Sequence, residues 1–166
     1  MDERWQDAYQ RLRDFISVTP GIEVSKSFTV IPEKVRDEFY KLFEDVKIGL
    51  LKEKFPAEVT QAEALSENYI QAEQEVTELL KLESICTMVP LYRFLHDPKE
   101  ALCRELTDPL FDLLTGKIDT ESFEKHASGS IQRAFNDSFK LGYAKWVALS
   151  LVKDLQADKL FNVTPP

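Results

Sequence analysis

Apolar residues recur three and four positions apart along almost the whole of this chain, and only one short stretch alternates. That spacing lines side chains along one stripe of an α-helix, which restricts the chain to packing helix on helix. Trp5, Ala8, Tyr9, Leu12, Phe15 and Ile16 form the first stripe, and Thr19-Pro20-Gly21 stops it. Ile22, Val24, Phe28 and Val30 then fall on even positions, with Lys26 breaking the series. A single strand has nothing to pair with, so this segment is expected as an extended arm laid on helices.

Pro32 suits the first turn of a second helix, whose stripe is Val35, Phe39, Leu42, Phe43, Val46 and Leu50; Phe55-Pro56 ends it. Thr60-Gln61-Ala62-Glu63 reads as a capping box opening a third helix. Leu65, Tyr69, Ala72, Val76, Leu79 and Glu83 follow as a coiled-coil-like seam, too short for a free coiled coil. Ile85, Met88, Val89, Tyr92 and Leu95 keep helical spacing across Pro90, which predicts a kink there and not a stop. Asp97-Pro98 and Asp108-Pro109 each join a capping residue to a first-turn proline. They predict short helices over 98–107 and 109–115, with Gly116 as the stop.

Asp119 is placed to cap the last helix, which begins with the stripe Phe123, Ala127, Ile131, Ala134, Phe135 and Phe139; Gly129 is a possible bend. From Leu141 to Leu155 the pattern turns apolar on most sides, as in a helix that must be covered. Ala134, Ser138 and Gly142 form a small-residue groove that admits another backbone. The expected fold is therefore all-α: an irregular bundle of five to seven helices, with a central apolar C-terminal helix and one short extended segment. Residues 1–162 read as a single helical domain, and Thr164-Pro165-Pro166 place the start of a linker at 163–166.

A chain of 166 residues buries roughly 70% of its unfolded surface and needs no metal or disulfide to fold. Its net charge of −8 is uneven: residues 1–83 carry 18 acidic and 11 basic side chains, residues 84–166 carry 11 and 10. No dense Lys/Arg run exists to displace counterions from phosphates, so nucleic acid is excluded as a partner, as is an anionic membrane surface. The run Leu141–Val152 is interrupted by Lys145 and is too short to span a bilayer. The N-terminus lacks a basic-then-apolar leader pattern, which places the chain in the cytoplasm; there the sequons at Asn136 and Asn162 are chance matches.

Chemistry-bearing motifs are sparse. Five glycines, at 21, 49, 116, 129 and 142, form neither GxxxxGK[ST] nor GxGxxG. No HExxH or GxSxG run exists, and Arg93 and Phe123 stand where a di-iron bundle needs a Glu three residues before each His. Cys86 and Cys103 fit no zinc spacing and are expected as reduced, largely buried thiols, although a bridge folded around His96-Asp97-Pro98 is conceivable. His96 reads as compensating a helix dipole, His126 as a partly exposed helix residue, and Glu63 with Glu67 as a solvated acidic ridge. Phe123, Phe135, Phe139, Tyr143 and Trp146 are core residues, or else the lining of an apolar cavity.

No catalytic, cofactor-binding or metal residue is assigned, and no cofactor is expected. The leading expectation is a non-catalytic helical module that binds a protein partner or itself, either alone or as the N-terminal domain of a longer protein. An apolar small-molecule binder is the first alternative. An enzyme whose site is assembled from distant residues is the second.

Overall fold

The computed structural model describes residues 4–26 and 28–156. Among them are seven α-helices: α1 (Trp5–Val18), α2 (Arg36–Lys54), α3 (Pro56–Leu80), α4 (Val89–His96), α5 (Pro98–Arg104), α6 (Thr107–Leu114) and α7 (Thr120–Asp154). The chain is all-α, as the periodicity predicts. The reading of Asn162 and of the 163–166 linker lies outside the described residues.

The chain forms two units. The first takes residues up to Val59 together with Leu102–Ala134, the second Thr60–Ala101 together with the chain from Phe135 onward. Both α3 and α7 begin in the first unit and continue into the second.

In the first unit Trp5 is fully buried, its ring 5.1 Å from that of Phe123. Its indole N–H donates to Glu124 Oε1 and its backbone N–H to Glu53 Oε2, both at 3.2 Å. Gly49 lets α1 approach α2 this closely, since a Cβ there would lie 3.2 Å from the Trp5 Cα. The α2 stripe is buried as predicted at Phe39, Phe43, Val46 and Leu50, and the Phe43 ring meets Phe111 of α6 at 4.5 Å. Lys47 is buried among these, its ammonium paired with Glu44 at 2.7 Å and donating to Thr107 Oγ1 at 3.3 Å.

The extended arm is instead a hairpin. Strand β1 (Glu23–Val24) pairs antiparallel with β2 (Thr29–Val30). The backbone N–H and hydroxyl of Ser25 both donate to Phe28 O, so the stretch finds its partner within itself.

In the second unit the α3 seam is buried at Leu65, Tyr69, Ala72 and Val76. Its start is corrected: α3 begins at Pro56, so Thr60 lies inside the helix and caps nothing. Pro56 has no N–H to lose and a φ suited to the first turn, and the Val59 N–H already reaches Phe55 O at 3.1 Å. Pro90 is corrected as well. The helix stops at Leu80, where Lys81 takes a left-handed φ of 53° and the Leu82 N–H returns to Thr77 O at 3.0 Å. Pro90 then sits in the first turn of a new helix, α4.

Three other punctuation marks hold, at Asp97, Asp119 and Gly116, whereas Asp108 is corrected: α6 begins at Thr107, so Asp108 lies inside its first turn and does not cap it. Asp97 Oδ1 accepts the Glu100 N–H at 3.0 Å, and Asp119 Oδ1 accepts that of Ser122 at 2.8 Å. Gly116, at φ 69°, ends α6. Helix α7 supplies core to both units: Phe123, Ala127 and Ile131 to the first, Phe135 and Leu149 to the second. Gly142 is a point of close approach as expected, but for side chains: Leu95 and Leu65 fill the space where its Cβ would be.

Candidate functional site

The densest polar cluster lies in the second unit. Tyr69 and Glu73 stand one turn apart on α3, Tyr92 and His96 one turn apart on α4, Lys145 on α7, and Cys86 and Thr87 on the segment between α3 and α4. The Tyr69 hydroxyl donates to Glu73 Oε1 at 2.8 Å, and His96 Nε2 meets Glu73 Oε2 at 3.2 Å. His96 Nδ1 lies 3.0 Å from Tyr92 O, and the imidazole stacks on the Tyr92 ring at 4.0 Å. The Lys145 ammonium donates to Cys86 O at 2.8 Å and to the Thr87 hydroxyl.

Burial pushes the Tyr69 phenol up to about 12, with the Glu73 carboxylate adding to the shift and a Thr87 hydrogen bond opposing it. Burial likewise holds the Lys145 ammonium below its usual value, against the pull of Glu73 and Cys86. Both Glu73 oxygens, both His96 nitrogens and the heads of Tyr69, Thr87 and Lys145 are taken up by one another or by backbone carbonyls. These contacts tie α4 to α3 through His96 and Glu73, and the Cys86-Thr87 segment to α7 through Lys145.

Sequence reasoning placed His96 at a helix end, and it is the last residue of α4. It passed over Glu73 as one more acid of a solvated face. The available signal was Tyr69 four residues earlier on the buried seam, which draws the next-turn carboxylate inward. Glu63 and Glu67 are exposed, as the ridge reading has it. Cys103 is buried, but Cys86 is exposed, which corrects half of the expectation of two buried thiols; neither is in a disulfide. Cys86 falls on the interhelical segment and not on the helical stripe its neighbours suggested. Among the described residues no three His, Cys, Asp or Glu gather as a metal site.

His126 is exposed on α7, beside an open groove of about 430 Å³ in the first unit. Asp108 and Asp112 of α6 stand on one wall, Lys125 and Arg133 of α7 on the other, and Asp112 is engaged by Lys117 at 3.0 Å. The five aromatic residues proposed as a cavity lining are divided between the two units. Phe123 packs on Trp5, whereas Phe135, Phe139, Tyr143 and Trp146 stack in succession along α7, at centroid distances of 5.0, 6.4 and 5.4 Å.

That ladder leads onto the second candidate, the outer face of α7 beyond Phe135. The apolar run is covered on one side only. Gly142 and Leu149 are buried, but Leu141, Tyr143 and Leu151 are 51%, 50% and 53% exposed, and Leu155 just past the helix is 76% exposed. Single exposed apolar residues are ordinary on a protein surface; here several gather on one helix between Leu141 and Leu155. No helix among the described residues is long and apolar enough to cross a membrane.

Comparison with known proteins returns no match: no family model, no curated protein and no solved structure is significantly similar to this chain.

Proposed function

We propose that this chain is a non-catalytic helical interaction module, which associates with a protein surface through the outer face of α7 beyond Phe135. The observation that carries this reading is the half-exposure of Leu141, Tyr143 and Leu151, spread round the part of α7 that turns away from its buried Gly142 and Leu149. The closed hydrogen bonding of the Tyr69–Glu73–His96 cluster supports a structural role for the one group of residues that resembles catalytic machinery. The net charge of −8 disfavours nucleic acid and anionic membrane as the partner, leaving another protein or a further copy of this one. The cytoplasm, where thiols stay reduced, suits an exposed Cys86 and a buried Cys103.

The test is a Tyr143→Lys/Leu151→Lys double variant, compared with the wild-type chain by light scattering and as bait in protein capture. Association that disappears in the variant while its thermal unfolding stays unchanged supports the reading. A wild-type chain that is strictly monomeric and captures nothing overturns it, as does a variant that associates equally well.

A further inference from the structure

Building on that reading of α7, we infer that the occupant of the exposed face is a second copy of this chain, docked antiparallel with Val147 on the two-fold axis. At 100° per residue, Val147 points about 140° away from Gly142 and about 160° away from Leu149. Gly142 and Leu149 mark the buried side of α7, so Val147 lies toward the outward side, half-buried between the exposed Ala144 and Ala148. The residues sharing its stripe are Lys140, Tyr143, Leu151 and Asp154. Counted along the chain, the stripe Lys140, Tyr143, Val147, Leu151, Asp154 has gaps of 3, 4, 4 and 3, which read the same in both directions.

When two identical helices pair antiparallel about a dyad, each residue faces the one equally far on the other side of the axis. With Val147 on the axis, Tyr143 faces Leu151 of the second copy and Lys140 faces its Asp154. Bulky apolar side chains meet in the middle and opposite charges meet at both ends. Parallel pairing of the same stripe would set Lys140 against Lys140 and Asp154 against Asp154, and like charges in register oppose association.

The charge pattern is available for this use. Lys140 and Asp154 are both exposed, with Asp154 feeling the charge of the adjacent Lys153. The neighbouring Lys153 is engaged first by Glu75 of α3, and Lys145 by Cys86 and Thr87. From Lys140 to Asp154 the seam runs about 21 Å, about four helical turns. A seam of that length with one aromatic and two aliphatic residues per chain fits a reversible dimer.

Sedimentation equilibrium of the full-length chain tests the pairing. Wild type is expected to dimerise. Lys140→Asp and Asp154→Lys each turn two attractions into two repulsions and are expected to weaken the dimer about tenfold. The double reversal Lys140→Asp/Asp154→Lys restores the opposition of charges and is expected to return to within about threefold of wild type. Circular dichroism confirms that each exposed substitution leaves the helices formed. In a Cys86→Ser background, Val147→Cys should oxidise to a covalent dimer readily, because a dyad residue meets itself, and Tyr143→Cys should not.

Three results overturn the pairing: a dimer indifferent to the single reversals, a double reversal that stays dissociated, or Tyr143→Cys cross-linking as fast as Val147→Cys. A wild-type monomer that instead captures a different protein through Tyr143 and Leu151 also overturns it, while leaving the proposed association surface standing. A dimer that survives Tyr143→Lys/Leu151→Lys removes both.

Discussion

A Cβ on Gly142 would lie 2.8 Å from Cδ2 of Leu95, whose side chain is fully buried. The two residues are fitted to each other. Gly142→Ala gains helix propensity of about 1 kcal/mol but overpacks a filled site, at a cost of about 1–3 kcal/mol. A net loss of about 1 kcal/mol is expected in chemical denaturation. Gly129 on the same helix has no atom within 4 Å of its would-be Cβ. There the identical substitution should stabilise by about 1 kcal/mol. Equal signs at the two glycines would contradict the packing described.

The two thiols should react at separate stages. Cys86 is exposed and Cys103 buried, so a thiol reagent titrates one group per native chain and two in denaturant. Lys145→Met, by releasing Cys86 O and the Thr87 hydroxyl, should speed hydrogen exchange across residues 81–88 and leave the exchange of α1 unchanged.

Alkali should reach Tyr69 late. Burial raises its phenol to about 12 from an ordinary value of 10.0, so the folded state favours the neutral form. The corresponding stability is fully present below pH 10 and is lost as pH rises toward 12. In ultraviolet phenolate titrations Tyr69→Phe should remove the last-ionising component. The same variant should flatten the fall of stability between those pH values.

Asp119 should matter to α7 in a way that asparagine can replace. Asp119→Ala removes the acceptor of the Ser122 N–H and is expected to lower the melting temperature by a few degrees, whereas Asp119→Asn largely keeps it. The Ser122 backbone N–H also holds the Asp119 carboxyl below its usual range. The wild-type contribution is thus complete above pH about 4 and disappears as pH falls through the lowered value.

Helix existence was legible wherever an apolar stripe ran uninterrupted, as from Phe39 to Leu50 and from Leu65 to Val76. The errors fell where two local rules competed. Thr60-Glu63 is a sound capping box, but Pro56 starts the helix earlier, and a cap is idle once the turn before it is helical. Across Pro90 the spacing of Ile85, Val89, Tyr92 and Leu95 suits a kink and a stop alike. The outcome rests on Lys81 adopting a left-handed conformation, for which a lysine gives no local signal. The Tyr69–Glu73–His96 cluster was hidden for a different reason. Its members are 23 or more residues apart between α3 and α4, and only the packed fold shows which carboxylate at the edge of a stripe turns inward. The exposure of α7 was likewise out of reach, because periodicity shows that a helix is apolar all round without saying how much of it the chain itself covers.

Because Val59 and Thr60 lie within α3, and Ala134 and Phe135 within α7, neither unit is one continuous piece of chain. On the ribosome the first unit stays incomplete until Ala134 has emerged, by which time Thr60–Ala101 is already outside. At roughly 5–20 residues per second, Phe39, Phe43 and Leu50 wait several seconds for the α6 and α7 residues that cover them. The first unit's exposure to aggregation and to chaperones therefore lasts through the synthesis of Thr60–Ala101 and ends only as α7 is being made.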